Sequence, residues 1–270
     1  MRTKKRKVKY NYWCLLIVVL VISIIIFSLF IGFAEKSDFK KETRRDKIIE
    51  EKKNDTDVYK TVGWIRVSGT NIDMPIIYIV GDAAFPVTKE KYSWTINEKG
   101  KYNNATRVYG HNIFNLSATP EKSSPAFKRF EALMSFVYYD FAQKNQYIQL
   151  SMGDEEYIYQ IFSVGIIEHY HMAVLPTREY TKNELKNTIK LYKENSIYDY
   201  NIKVNEKDKI LSLITCTRMY GTSADVDFVV SAKLVKNKKS LKLVKVKKNK
   251  KYDKIETVMK GDGSDVQITA

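Results

Sequence analysis

Ile210-Leu211-Ser212-Leu213-Ile214-Thr215-Cys216 is an apolar run that ends on a cysteine. A short run of this kind, bounded by polar sequence, predicts a buried strand. Such a strand fixes the backbone of its last residue, while its rim leaves that residue open to a reacting partner. Thr215, Thr217 and Arg218 flank Cys216 with hydroxyl and cationic groups, and a nearby cation lowers a thiol's pKa towards the reactive thiolate. A free cysteine is also among the most buried residue types, so the chemical reading depends on whether a base stands beside it. The other cysteine, Cys14, lies inside a long hydrophobic segment, and a disulfide would have to join that segment to a distant domain. Cys216 therefore reads as a lone thiol.

Of the three histidines, His111 is the best base candidate. It sits in the turn-like string Gly110-His111-Asn112, directly after the short strand pattern ending at Tyr109. A Cys/His pair of this kind points to nucleophilic catalysis. His169 and His171 flank Tyr170, and in a strand both would share a face. No third ligand of suitable spacing accompanies them, so they read as rim histidines rather than a metal site. No cofactor and no metal are implied.

Working outward, the chain of 270 residues is 44% hydrophobic and 13% aromatic with 11 Gly and 5 Pro. That composition can build a core and excludes disorder for the body, with one domain as the economical reading. The formal net charge of +15 raises nucleic acid as a partner, but the excess collects at the ends. Lys4, Lys5, Arg6, Lys7 and Lys9 lie at one end, and Lys236, Lys238, Lys239, Lys242, Lys245, Lys247, Lys248, Lys250 and Lys251 at the other. Between Trp13 and Phe33 there is no charged residue, and at about 1.5 Å per residue this stretch crosses a bilayer core of about 30 Å.

It reads as an uncleaved signal anchor at 13–33, since no small-x-small cleavage pattern follows it. The basic residues before it predict a cytoplasmic N-terminus at 1–12 and an extracellular body, in a single-pass protein of the cell membrane. An outside location argues against nucleic acid. Residues 34–57 are densely charged and predict a solvated helical stalk, 58–236 form the domain, and 237–270 form a basic, flexible tail.

Within the domain, strands are expected at 62–67, 72–78, 106–109, 147–152, 156–167, 209–214 and 228–235. Helices are expected at 125–134 and 181–192, the latter with Thr181 as N-cap and a Glu three residues on. The fold class is mainly β, a barrel or curled sheet with peripheral helices.

Leu211-Ser212-Leu213-Ile214-Thr215-Cys216 resembles the Thr-Leu-x-Thr-Cys signature of sortases, and Tyr109-Gly110-His111-Asn112 resembles their histidine motif, in the expected order. The hairpin from Gly63 to Pro75, the Phe-rich segment after His111 and the helix before the cysteine strand are similar to the class B branch, so the resemblance covers about 58–236. It implies a closed β-barrel and a cysteine transpeptidase of Gram-positive bacteria that cleaves a C-terminal sorting motif of secreted proteins. The resemblance makes Cys216 the nucleophile and His111 the general acid and base, with a thioester resolved by an amine nucleophile of a cell-wall precursor or pilin. The implied partners are therefore the sorting peptide, that amine, and membrane lipid around the N-terminal helix. The family also places an arginine in the strand after the cysteine. Here Asp225 and Asp227 stand in that stretch, and Arg218, two residues beyond Cys216, takes the expected role of oxyanion donor. The alternatives are a catalytically weak sortase-like binding protein and a cysteine hydrolase.

Overall fold

Apolar runs become strands where their backbone groups find ladder partners and both faces find cover. The computed structural model of the protein describes residues 16–23, 44–79, 93–95, 104–124, 126–127, 130–152, 154–173, 179–236 and 241–259. It divides into two units, 1–42 and 43–270. In the first, residues 16–23 form a helix with exposed side chains; the rest of the expected span at 13–33 lies outside the described residues. No helix among the described residues is long and apolar enough to cross a membrane.

The second unit is mainly β. Its strands are β1 (Tyr59–Val67), β2 (Asp73–Ile79), β3 (Ser93–Thr95), β4 (Ala105–Tyr109), β5 (Tyr147–Met152), β6 (Glu155–Glu168), β7 (Tyr198–Asp199), β8 (Ile210–Cys216), β9 (Val226–Leu234) and β10 (Lys247–Lys248). The helices are α1 (Arg45–Lys52), α2 (Tyr139–Lys144), α3 (His169–Ala173), α4 (Lys182–Asn195) and α5 (Lys250–Met259), with a 3₁₀ helix at Phe130–Val137. The sheet curls in the order β1-β2-β3-β4-β8-β9-β6-β5, and β5 pairs back onto β1. The joint through β3 is thin: two register pairs tie it to β2 and two to β4. The sheet is therefore curled rather than the closed barrel expected, since among the described residues β2 and β4 are joined through that short strand.

β8 is buried from Ile210 to Thr215 because both its faces are covered. Leu211 and Leu213 join the core around the 3₁₀ helix, with Phe130, Phe136 and Phe228 fully buried. Ile210 and Ile214 join a second apolar cluster with Leu185, Ile189 and Tyr192 of α4. Each such side chain contributes roughly 1.5–3 kcal/mol by its burial, so β8 is among the most firmly held elements. The capping box expected at α4 is present: Thr181 accepts from the Glu184 N–H while the Glu184 carboxylate accepts from the Thr181 N–H.

Three expectations change. The helix expected at 125–134 is a 3₁₀ helix at Phe130–Val137, all eight of whose side chains are buried. The charged stretch at 34–57 is no free spacer where it is described. Arg44 pairs with Asp73 through Nε and Nη2, each at 3.0 Å, Trp64 Nε1 donates to the same carboxylate at 2.6 Å, and Ile48 of α1 is buried. Burial pushes the Asp73 carboxyl up, but Arg44, Trp64 and Lys47 outweigh it and hold the group below its usual range. Where it is described, at 241–259, the tail also departs from the flexible reading. β10 pairs with β7, and Val246, Tyr252 and Ile255 are buried in the main core.

Candidate active site

The site forms where β8 ends between β4 and β9. β4 runs parallel to β8 with Tyr109 opposite Ile214, and the Gly110 N–H donates to the Ile214 carbonyl at 3.0 Å. Continuing that register brings His111 level with Cys216 on the neighbouring strand, where strands lie about 4.8 Å apart. Two further bonds lock the two segments together. Thr215 Oγ1 donates to the Gly110 carbonyl at 2.7 Å, and Asn112 Nδ2 donates to the Cys216 carbonyl at 2.9 Å.

Asn112 and Asn115 build the loop that carries His111. Asn112 also exchanges bonds with the Asn115 backbone at 3.0 Å, and the Asn115 amide donates to the carbonyls of Glu121 and Glu131. Both asparagines are buried, so their bonds are shielded from competing water. Gly110 is required by its neighbour: a Cβ there would fall 2.3 Å from the ring of Phe130. The short motif Tyr109-Gly110-His111-Asn112 therefore packs, turns and ties down in consecutive residues, leaving His111 half-buried at the rim.

Cys216 is exposed and free. Burial around the thiol is nevertheless the largest cause of its raised pKa, followed by the negative charges of Asp227 and Asp225; Arg218 opposes them as the smallest contribution. Arg218 stands in the turn after β8, exposed to solvent, and its carbonyl accepts from the Gly221 N–H at 3.0 Å. Gly221 adopts φ +103° with open space around its Cα, a conformation that suits glycine and lets the chain reverse into β9.

Asp227 lies directly opposite Cys216 in the β8–β9 ladder, so both side chains share a sheet face. It is buried and bound to His169 Nδ1 at 2.8 Å. Burial pushes the Asp227 carboxyl up, His169 draws it down, and Asp225 adds to the rise. His169 and His171 do not share a strand face as their spacing predicts, because they lie in the short helix α3; His171 pairs with Glu168 at 3.4 Å instead. No group of three metal-ligating side chains is present among the described residues.

The sequence brings out Cys216 and His111 as separate motifs; Cys216 ends β8, and His111 lies in the loop that follows the neighbouring strand β4. The structure places Arg218 near enough to act on the thiol electrostatically. The Asp227–His169 link escapes sequence reasoning, since nothing local tells that β6 and β9 are neighbours in register.

A model of the sortase domain matches residues 65–235. The chain belongs to the sortase family. Its fold is similar to the sortase B of Clostridium perfringens, with 23% identity over 69% of this chain and 99% of that one and a TM-score of 0.54. It is likewise similar to a Staphylococcus aureus sortase B–substrate complex, 21% identical over 77% of this chain and 93% of that one with a TM-score of 0.55. Bacillus anthracis sortase B in complex with AAEK2 is 20% identical over 71% of this chain and 82% of that one, with a TM-score of 0.54. No curated protein matches the chain. Sortases are generally cysteine transpeptidases, and the matched span contains both the Cys216 and the His111 motifs. β10 and α5 lie beyond it.

Proposed function

We propose that this sortase is a membrane-anchored cysteine transpeptidase in which Cys216 attacks the carbonyl of a C-terminal sorting motif in a secreted protein. The observation that carries the reading is the placement of His111 level with Cys216, tied to it through Asn112 and Gly110. In the first step the thiolate forms a C–S bond, the peptide C–N bond breaks, and His111 gives its proton to the leaving amine. In the second, an amine of a cell-wall precursor or pilin attacks the thioester, a C–N bond forms, the C–S bond breaks, and His111 takes the amine proton. Arg218 supplies the positive charge on the open side of the site, donating to the oxyanion. The uncharged stretch from Trp13 to Phe33 with basic residues before it supports a single membrane pass that holds the domain outside the cell.

Incubating the full chain with a degenerate sorting-peptide library and an amine acceptor tests this reading. Amine should be incorporated into product, Cys216→Ala and His111→Ala should abolish incorporation, and Arg218→Ala should lower turnover by about 10²-fold or more. Product released only to water would indicate hydrolysis, and a loss of less than a few-fold for Arg218→Ala would remove it from the oxyanion site. The raised thiol pKa, caused partly by Asp227 and Asp225, favours a second reading in which the domain chiefly binds its peptide; peptide binding without product would support that one.

A further inference from the structure

Asp227 is the β9 ladder partner of Cys216, and its carboxylate is bound to the His169 imidazole. The three residues come from three consecutive strands of the sheet order: Cys216 ends β8, Asp227 lies in β9, and His169 follows β6. The backbone fixes this order. Cys216 is paired with Asp227, Ile167 is paired with Asp227 from the other side, and the His169 N–H donates to the Asp225 carbonyl at 2.9 Å. Asp227 is only 3% exposed, so water screens its charge poorly and the proton state of its partner decides what the thiol faces.

We propose that Asp227 and His169 act as a proton-dependent charge partner of Cys216, neutral while His169 is protonated and anionic once it is not, which makes His169 a positioning residue for the thiol. A thiolate beside a carboxylate–imidazolium pair meets almost no net charge. The same thiolate beside a carboxylate and a neutral imidazole meets a buried negative charge, and like charges disfavour each other's formation. The inference rests on Cys216 as the nucleophile but not on the nature of its substrate.

Other charged groups also face the pair or the thiol. On β9, Asp225 adds a second negative charge to both Asp227 and the thiol. On β6 and α3, Glu168 is engaged with His171. From the turn after β8, Arg218 opposes the aspartates at the thiol. On β4, Arg107 donates to the Tyr109 hydroxyl at 3.2 Å, and that phenol, pushed up to about 12 chiefly by burial, also senses the Asp227 charge.

Alkylation of Cys216 by iodoacetamide, followed across pH on the full chain by peptide mass spectrometry so that Cys14 is scored separately, tests the proposal without requiring catalysis. Asp227→Asn should speed alkylation at neutral pH about tenfold, corresponding to one pKa unit in thiolate fraction. His169→Gln should slow it several-fold at acidic pH and converge with wild type at alkaline pH. In an Asp227→Asn background, His169→Gln should have no further effect. An equal effect of His169→Gln in both backgrounds, or none in either, overturns the proposal. Normal alkylation behaviour without any peptide turnover would instead count against transpeptidation and leave this inference standing.

Discussion

Asn112 ties the loop that carries His111 to the end of β8. Its amide donates to the Cys216 carbonyl and to the Asn115 carbonyl, and its Oδ1 accepts from the Asn115 N–H. Replacing it by alanine strands three buried or half-buried backbone groups at once, each worth about 1–3 kcal/mol when left without a partner. Asn112→Ala should therefore lower peptide turnover far more than Cys216 alkylation by a small reagent, because the thiol survives while the level of His111 against it is lost. Parallel losses in both assays would show that the amide only supports folding. At the same scale the limits of sequence reading are visible. Cys216 and His111 stand out as chemical groups in suggestive contexts, whereas Asp227 becomes meaningful only through its ladder partner and His169.

Elements were legible in proportion to how far their burial matched a simple period. β1, β5, β6, β8 and β9 appear at or within a few residues of their expected ranges, because apolar residues fill either alternate positions or, in β8, every position covered on both faces. α4 declared its start through Thr181 and Glu184. The Phe-rich segment was displaced because the 3₁₀ helix Phe130–Val137 is buried all round, Glu131 and Ser135 included, and so shows no polar face to mark its limits. At 241–259 the lysines of the tail mask its packing in the sequence: Val246, Tyr252 and Ile255 are buried, Tyr252 stacks beside Tyr198 at 5.3 Å, and the Gln143 and Gln146 side chains bond the backbone of Val244 and Val246. Ile255→Ala should accordingly destabilise the domain by about 2–5 kcal/mol in chemical denaturation. A change within about 0.5 kcal/mol, the usual range for an exposed position, would show that α5 does not hold to the core.

For the molecule as a whole, the charge excess of +15 gathers at the ends, while the sheet between them carries a thiol flanked by His111 on one side and an Asp–His pair on the other. The family follows from the domain match over 65–235, and the reaction proposed for it rests on that flanked thiol. Burial and the aspartates around Cys216 lower its thiolate population relative to a cation-lined site, so turnover should be modest and should rise in Asp227→Asn if His111 remains the only acid and base the reaction needs. The most direct test is intact-mass spectrometry of the full chain after incubation with sorting peptides and no amine acceptor. A peptide fragment should appear on Cys216 as a thioester, be discharged by added amine or hydroxylamine, and be absent from Cys216→Ala. Peptide that binds the wild-type protein yet never forms that adduct would refute Cys216 as an acyl-carrying nucleophile.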